Sequence, residues 1–193
     1  MLICDFDGTL IAEDLEKDFL NYYFNKHLRV LDIFMGIIFT PINLLRKTFD
    51  RGSLVKVWTL FRTENEQKKL FNEFLEFYKP TINSDVISIL DSYSGTKLLL
   101  SGCYELLLYE FLCAHKITDK FNIIIGAKTV SFGFFISQHP YGHSKNEFFD
   151  FADVGIGNEF ADRYFLSKCR NVYLKNPDEK LTRMANKFGW III

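Results

Sequence analysis

Apolar and polar positions along the 193-residue chain change period several times, and each change marks an element. The chain opens on Met1-Leu-Ile-Cys4, a run that reads as a short buried strand, and stops at Asp5-Phe-Asp-Gly-Thr9, where glycine and threonine give turn chemistry. Residues 13–80 then repeat apolar side chains at i, i+3 and i+4, as in Leu70, Phe71, Phe74, Leu75 and Tyr78, which predicts helix as far as Pro80. Beyond it the period alternates. The pattern predicts helix 84–93, strand 97–101, helix 104–116, strand 122–125 and a hairpin over 128–138 turning at Gly133. It continues with strand 153–157, helix 159–168, strand 171–175 and a last strand at 190–193. Between those last two strands, Asn176-Pro-Asp-Glu179 predicts a helix start, with Asn176 as cap, Pro177 in the first position and Glu179 three after the cap. This alternation predicts an α/β fold with a doubly wound parallel sheet. Residues 1–12 and 81–193 would form its core, and residues 13–80 an inserted helical cap.

One stretch departs from amphipathic patterning. VLDIFMGIIFTPINLL, residues 30–45, is almost wholly apolar, interrupted by Asp32 and Pro41 and flanked by Lys26, Arg29, Arg46 and Lys47. A spanning helix needs about 20 apolar residues, so this run predicts a buried helical hairpin within the cap. A basic-flanked apolar helix can also lie on a membrane surface, which leaves peripheral membrane contact as the alternative.

Composition narrows the picture further. The chain is 48% hydrophobic and 24% charged, with 21 Phe and 9 Tyr, and its net charge of −1 gives no electrostatic footprint for nucleic acid. Cys4, Cys103, Cys113 and Cys169 show no Cys-x-x-Cys spacing, which predicts buried reduced thiols rather than a disulfide framework or a zinc site. The first strand begins at the first residue, so no signal peptide is expected and a cytoplasmic location is, with membrane association the alternative. His139 and His143 read as loop and helix-cap residues, His27 and His115 as solvated helical ones. Arg46, Arg51 and Arg62 read as surface charges, and Tyr104 as a residue that could face a pocket.

The chemistry lies at strand ends. A carboxylate leaving a strand of an open α/β sheet points into the crevice where ligands bind. Asp5 in that place, with Asp7 two residues on, suggests phosphoryl transfer through an aspartyl-phosphate, with Asp5 as nucleophile, Asp7 as general acid and base, and a hard divalent cation between carboxylate and phosphate. Leu98-Leu-Leu-Ser-Gly102 reads as a second strand whose Ser101 hydroxyl and Gly102 N–H can hold a phosphate oxygen. Lys145 would add a fixed positive charge. Asp153-Val-Gly-Ile-Gly157-Asn-Glu-Phe-Ala-Asp162 reads as a strand, a glycine and a helix start bearing oxygen ligands.

Strand-acid, strand-serine, lysine and strand-acid in that order resemble the haloacid dehalogenase (HAD) superfamily of aspartate-nucleophile phosphatases, over the span from Asp5 to Asp162. The helical block between the Asp5 and Ser101 strands resembles the cap of the phosphoserine phosphatase-like subfamily IB. Asp14, the apolar run with Pro41, Gly142-His-Ser-Lys145 and the overall length are most similar to its phosphatidylglycerophosphatase-like branch. The resemblance implies a phosphomonoester hydrolase using Mg2+, with a small phosphometabolite or a lipid-linked phosphate as substrate. It implies magnesium held by Asp5, the Asp7 carbonyl and position 158, with Asp162 orienting metal-bound water, and a turn supported by Thr9 beside the phosphate. Phosphoserine itself is disfavoured, because that subfamily usually carries a Glu near position 14. The family pattern has Asp at position 158, where this chain has Asn158. The alternative is therefore a catalytically weakened phosphate-binding or regulatory protein.

Overall fold

The computed structural model describes residues 1–48, 59, 62–129 and 136–193. Its strands are β1 (Leu2–Cys4), β2 (Lys97–Tyr104), β3 (Ile123–Thr129), β4 (Ile136–Gln138), β5 (Ala152–Gly157), β6 (Cys169–Leu174) and β7 (Ile191–Ile192), forming one sheet in the order β4-β3-β2-β1-β5-β6-β7. Pairing is parallel throughout except between β3 and β4. The chain winds outward from β1 through β2, β3 and β4, then returns to the other flank of β1 with β5, β6 and β7. The order thus reverses beside β1, where open α/β sheets bind ligands.

Strand alternation builds two cores. Leu2 and Cys4 face a cluster with α1 (Leu15–Lys26), α3 (Glu64–Leu75), α4 (Ser84–Ser92) and α5 (Glu105–Ala114), whereas Ile3 faces α6 (Arg163–Leu166) and α7 (Glu179–Phe188). On the first side Phe19 of α1 meets Phe71 and Phe74 of α3 edge-on, at 5.1 and 5.6 Å.

Several elements differ from the sequence expectation. Residues 30–45 form no buried hairpin; they belong to one helix, α2 (Val30–Thr48), that runs through Pro41. The fixed φ of proline, about −65°, is itself helical, so Pro41 costs a hydrogen bond without turning the chain. Asp32 does not interrupt the run either. It is buried at the start of α2, accepts hydrogen bonds from Arg29, and pairs with the Tyr23 hydroxyl of α1. Most of the apolar side chains described on α2 stay exposed. The cap of α7 is Asp178, which accepts from the Leu181 N–H at 2.8 Å, while Asn176 takes a turn conformation at φ +43°. The stretch predicted as helix 159–168 holds only a 3-10 turn, Phe160–Asp162, and the single turn of α6. Cys113 is exposed, and the four thiols are free. Gly133 and Arg51 lie outside the described residues.

Candidate active site

Strand β1 delivers Asp5 to the carboxyl edge of the sheet. Its N–H extends the ladder by donating to the Ile156 carbonyl at 2.9 Å, so the side chain is fixed where the strand order reverses. The chain then doubles back, with the Phe6 carbonyl accepting from Thr9, Leu10 and Ile11. Phe6 itself is buried edge-on to Phe111 at 5.2 Å and anchors the turn from below. Gly8 is required here: its φ is +69°, and a Cβ would lie 2.1 Å from Nδ2 of Asn158. Asp7 is oriented by the Leu15 N–H, which donates to its Oδ1 at 2.8 Å.

The remaining groups arrive from within β2, from a 3-10 helix and from the end of β5. Ser101, buried within β2, accepts from the Cys103 N–H at 3.0 Å, which leaves its own proton to donate. Lys145 rises from a 3-10 helix, Gly142–Phe148, and its Nζ lies 2.6 Å from both Asp5 Oδ1 and Asp162 Oδ1. The other oxygen of Asp162 accepts from the N–H groups of Asn158 and Glu159, each at 3.1 Å, so both its oxygens are engaged. Asn158 follows β5 directly, and its side chain lies against Gly8 with Oδ1 accepting from Thr9 Oγ1 at 3.1 Å.

Charge in this cluster is not balanced. Burial pushes the Asp5 carboxyl up to about 7, and the neighbouring Asp162 charge adds to the rise, against the lowering effect of Lys145. Burial, then Asp14, raises Asp7 well above the usual carboxylate range. Lys145 goes the other way. Burial alone would lower it, but Asp162 and Asp5 outweigh burial and hold the ammonium charged.

These groups open onto a cavity of about 360 Å³, lined by Asp5, Asp7, Ser101, Gly102, Lys145 and Asp162. Thr40, Asn43 and Leu44 of α2 line it too, as do Asp14, Glu16 and Lys17 at the start of α1. His139 and Tyr141 also reach it, and His139 Nε2 would lie 3.2 Å from a Cβ at Gly102. Sequence reading places His139 in a loop without a pocket. No periodicity marks it, although its position six residues before Lys145 is a signal of proximity. Tyr104, by contrast, turns away from the cavity and donates to Gln67 Oε1 of α3 at 2.9 Å. His143 packs edge-on to Tyr164 at 5.3 Å, and His115 is half-buried against Phe111 at 4.4 Å rather than solvated. Arg62 donates to the Tyr23 hydroxyl at 2.8 Å.

Among the described residues no three His, Cys, Asp or Glu side chains group into a metal cage. The oxygens at the strand ends nevertheless suit a hard cation. Thr9 Oγ1 lies 3.3 Å from Asp5 Oδ2 and 3.1 Å from Asn158 Oδ1, and its one proton can serve only one of them at a time. Magnesium takes oxygen donors, commonly one or two carboxylates completed by water and phosphate. A cation there would offset the burial and the Asp162 charge that together raise the proton affinity of Asp5. The residues present therefore fit magnesium.

No protein-family model matches the chain, and no curated protein matches it in sequence. Solved structures do match. A protein of unknown function from Bordetella pertussis Tohama I superposes with a TM-score of 0.76 at 14% identity, covering 100% of this chain and 97% of that one. A phosphoserine phosphatase in its apo form gives 0.60 at 12%, covering 100% and 92%. A phosphoserine phosphohydrolase-like protein from Francisella tularensis subsp. tularensis SCHU S4 gives 0.58 at 15%, covering 100% and 94%. The chain shares the α/β fold of these solved structures, among which are phosphoserine phosphatases and HAD-family hydrolases.

Proposed function

We propose that the chain is a magnesium-dependent phosphomonoester hydrolase that works through an aspartyl-phosphate on Asp5. The observation that carries this reading is the placement of Asp5 at the cavity wall, with Lys145 2.6 Å from one carboxylate oxygen and Thr9 beside the other. The HAD-like fold supports the same chemistry.

In the first half-reaction a carboxylate oxygen of Asp5 attacks phosphorus in line, and the bond from phosphorus to the ester oxygen breaks. Asp7 protonates the departing alkoxide. Its raised proton affinity keeps it in the acid form that this step needs. In the second half-reaction Asp7, now ionised, takes a proton from water as that water attacks the phosphorus. The Asp5–phosphorus bond breaks, and inorganic phosphate leaves. Ser101, the Gly102 N–H and Lys145 hold the phosphoryl oxygens, and such preorganised donors supply most of the stabilisation in reactions of this type. Asp162 fixes Lys145 and the backbone that presents Asn158.

Magnesium, when bound, would neutralise phosphate charge. Asp5, the Asp7 carbonyl and Asn158 would hold it, with Asp162 behind them. Thr40, Asn43 and Leu44 would exclude water above the phosphate and contact the leaving group. The substrate is a small-molecule phosphate ester or a lipid-linked one.

A chromogenic phosphate ester assayed with and without magnesium tests the reading. Magnesium-dependent release that disappears in Asp5→Asn is the expected result. Phosphate binding without any turnover would instead make the chain a phosphate-binding module.

A further inference from the structure

Helix α2 carries two unlike faces. At about 100° per residue, Asp32, Gly36, Phe39 and Asn43 share one side. There Asp32 is buried and Asn43 lines the cavity. On the opposite side Val30, Phe34, Ile37, Ile38 and Leu45 lie within roughly half the circumference, and Val30 and Ile37 are 84% and 71% exposed. The helix has a single acid, Asp32, which is buried and paired with Arg29, so the outer face of α2 carries no carboxylate. In sequence, Lys26 and Arg29 precede the helix and Arg46 and Lys47 stand near its end.

We infer that this face docks on the surface of an anionic lipid bilayer. An apolar, acid-free helix face with Lys26 before it and Arg46 and Lys47 near its end in sequence complements an anionic interface, burying its side chains among acyl chains while these cations meet the headgroups. A second copy of the chain fits less well, because it would set the same acid-free, basic-flanked face against itself with no opposite charge to meet it. Leu44 adds a third observation, because it is 61% exposed and also lines the cavity, so apolar surface is continuous with the candidate active site. The helix would lie in the plane of the interface, since no helix among the described residues is long and apolar enough to cross a membrane. Docking of this kind uses neither Asp5 nor Lys145 and stands whether or not the chain hydrolyses esters.

Vesicle sedimentation tests it without any activity readout. With vesicles about one-third phosphatidylglycerol in phosphatidylcholine, the wild-type chain should pellet at low salt and be partly released at about half-molar salt. Phe34→Glu with Ile37→Glu removes two exposed apolar side chains that the bilayer would bury and should lower the partition coefficient at least about a hundredfold. Arg46→Glu with Lys47→Glu should weaken binding and flatten its salt dependence. Circular dichroism unchanged in both variants keeps the comparison to the surface. Ile37→Trp offers a second reading, a blue shift of emission on adding vesicles that exceeds the wild-type shift. Wild-type protein that stays in solution with these vesicles would overturn the inference. So would unaltered binding by the Phe34 and Ile37 variant, or a lipid-free dimer that this variant turns into a monomer.

Discussion

Asp5 is expensive to keep ionised, and that cost is measurable. Its carboxyl sits at about 7 in the folded chain, mainly through burial, against roughly 3.9 when unfolded. A folded value above the unfolded one means that the fold binds the extra proton. The associated stability is complete below about pH 4 and is lost as pH rises through 7. Asp5→Asn carries no such charge. Its melting temperature should therefore pull ahead of wild type between pH 4 and 7 and keep a constant lead above, worth a few kcal/mol at about 1.4 per pH unit. Added magnesium should narrow the lead by relieving Asp5. Thermal unfolding in chelator and in magnesium checks both, and a lead that ignores pH would remove the charge-imbalance account. Position 158 gives a second prediction. Asn158 offers an oxygen without charge, so Asn158→Asp should tighten magnesium binding to the phosphate-free protein and lower the concentration giving half-maximal hydrolysis. Metal and phosphate should each raise the other's affinity by one common factor. Calorimetry with and without an inert phosphate analogue measures it, and an unchanged affinity in Asn158→Asp would take position 158 out of the metal site.

At the scale of elements, the node around Asp32 decides where α2 lies. Asp32, Tyr23, Arg29 and Arg62 tie the start of α2 to α1 and to the residue preceding the Thr63 cap of α3. Roughly two to three turns beyond, the same helix presents Thr40 and Asn43 to the cavity. Asp32→Asn keeps the size but loses the charge on which Arg29 closes, and Asp32→Ala leaves the buried Tyr23 hydroxyl with Arg62 alone. The alanine variant should cost about 1–3 kcal/mol of stability. Both should raise KM for an ester with a bulky leaving group more than they lower kcat, because the roof moves while Asp5 and Lys145 stay. A fall in kcat alone would place the effect on the chemistry instead. This node was not legible in the sequence. Asp32 reads there as a break in an apolar run, because hydropathy cannot show that Arg29 and Tyr23 converge on it. Asp5 and Asn158 were legible as strand ends, since each follows a short apolar run closed by a turn signal, whereas Ser101 lies inside β2, which runs on to Tyr104. The cap of α7 was misplaced by two residues because Asn176-Pro177 and Asp178 both offer cap chemistry, and only the turn geometry selects Asp178.

For the whole molecule, the doubly wound, mostly parallel sheet follows from alternation and spacing. What spacing could not reveal is how the segment between β1 and β2 joins the rest. Leu15, Phe19 and Tyr23 of α1 and Leu70, Phe71 and Phe74 of α3 lie in the same buried cluster as Leu2, Leu99, Val86 and Phe111. Among the described residues, α1 and α3 of that segment therefore share a core with the sheet. A shared core should make these elements unfold in a single cooperative transition. Phe71→Ala removes a fully buried ring at the meeting of α1, α3 and Tyr104, and should cost about 3–5 kcal/mol. If the core is shared, that loss should lower the melting temperature seen by far-ultraviolet circular dichroism and by near-ultraviolet signals alike. Calorimetric and van't Hoff enthalpies should agree in both proteins. An early, separate transition in Phe71→Ala, with the sheet melting at the wild-type temperature, would show instead that the helical segment folds as a unit apart from the strands that carry Asp5 and Ser101.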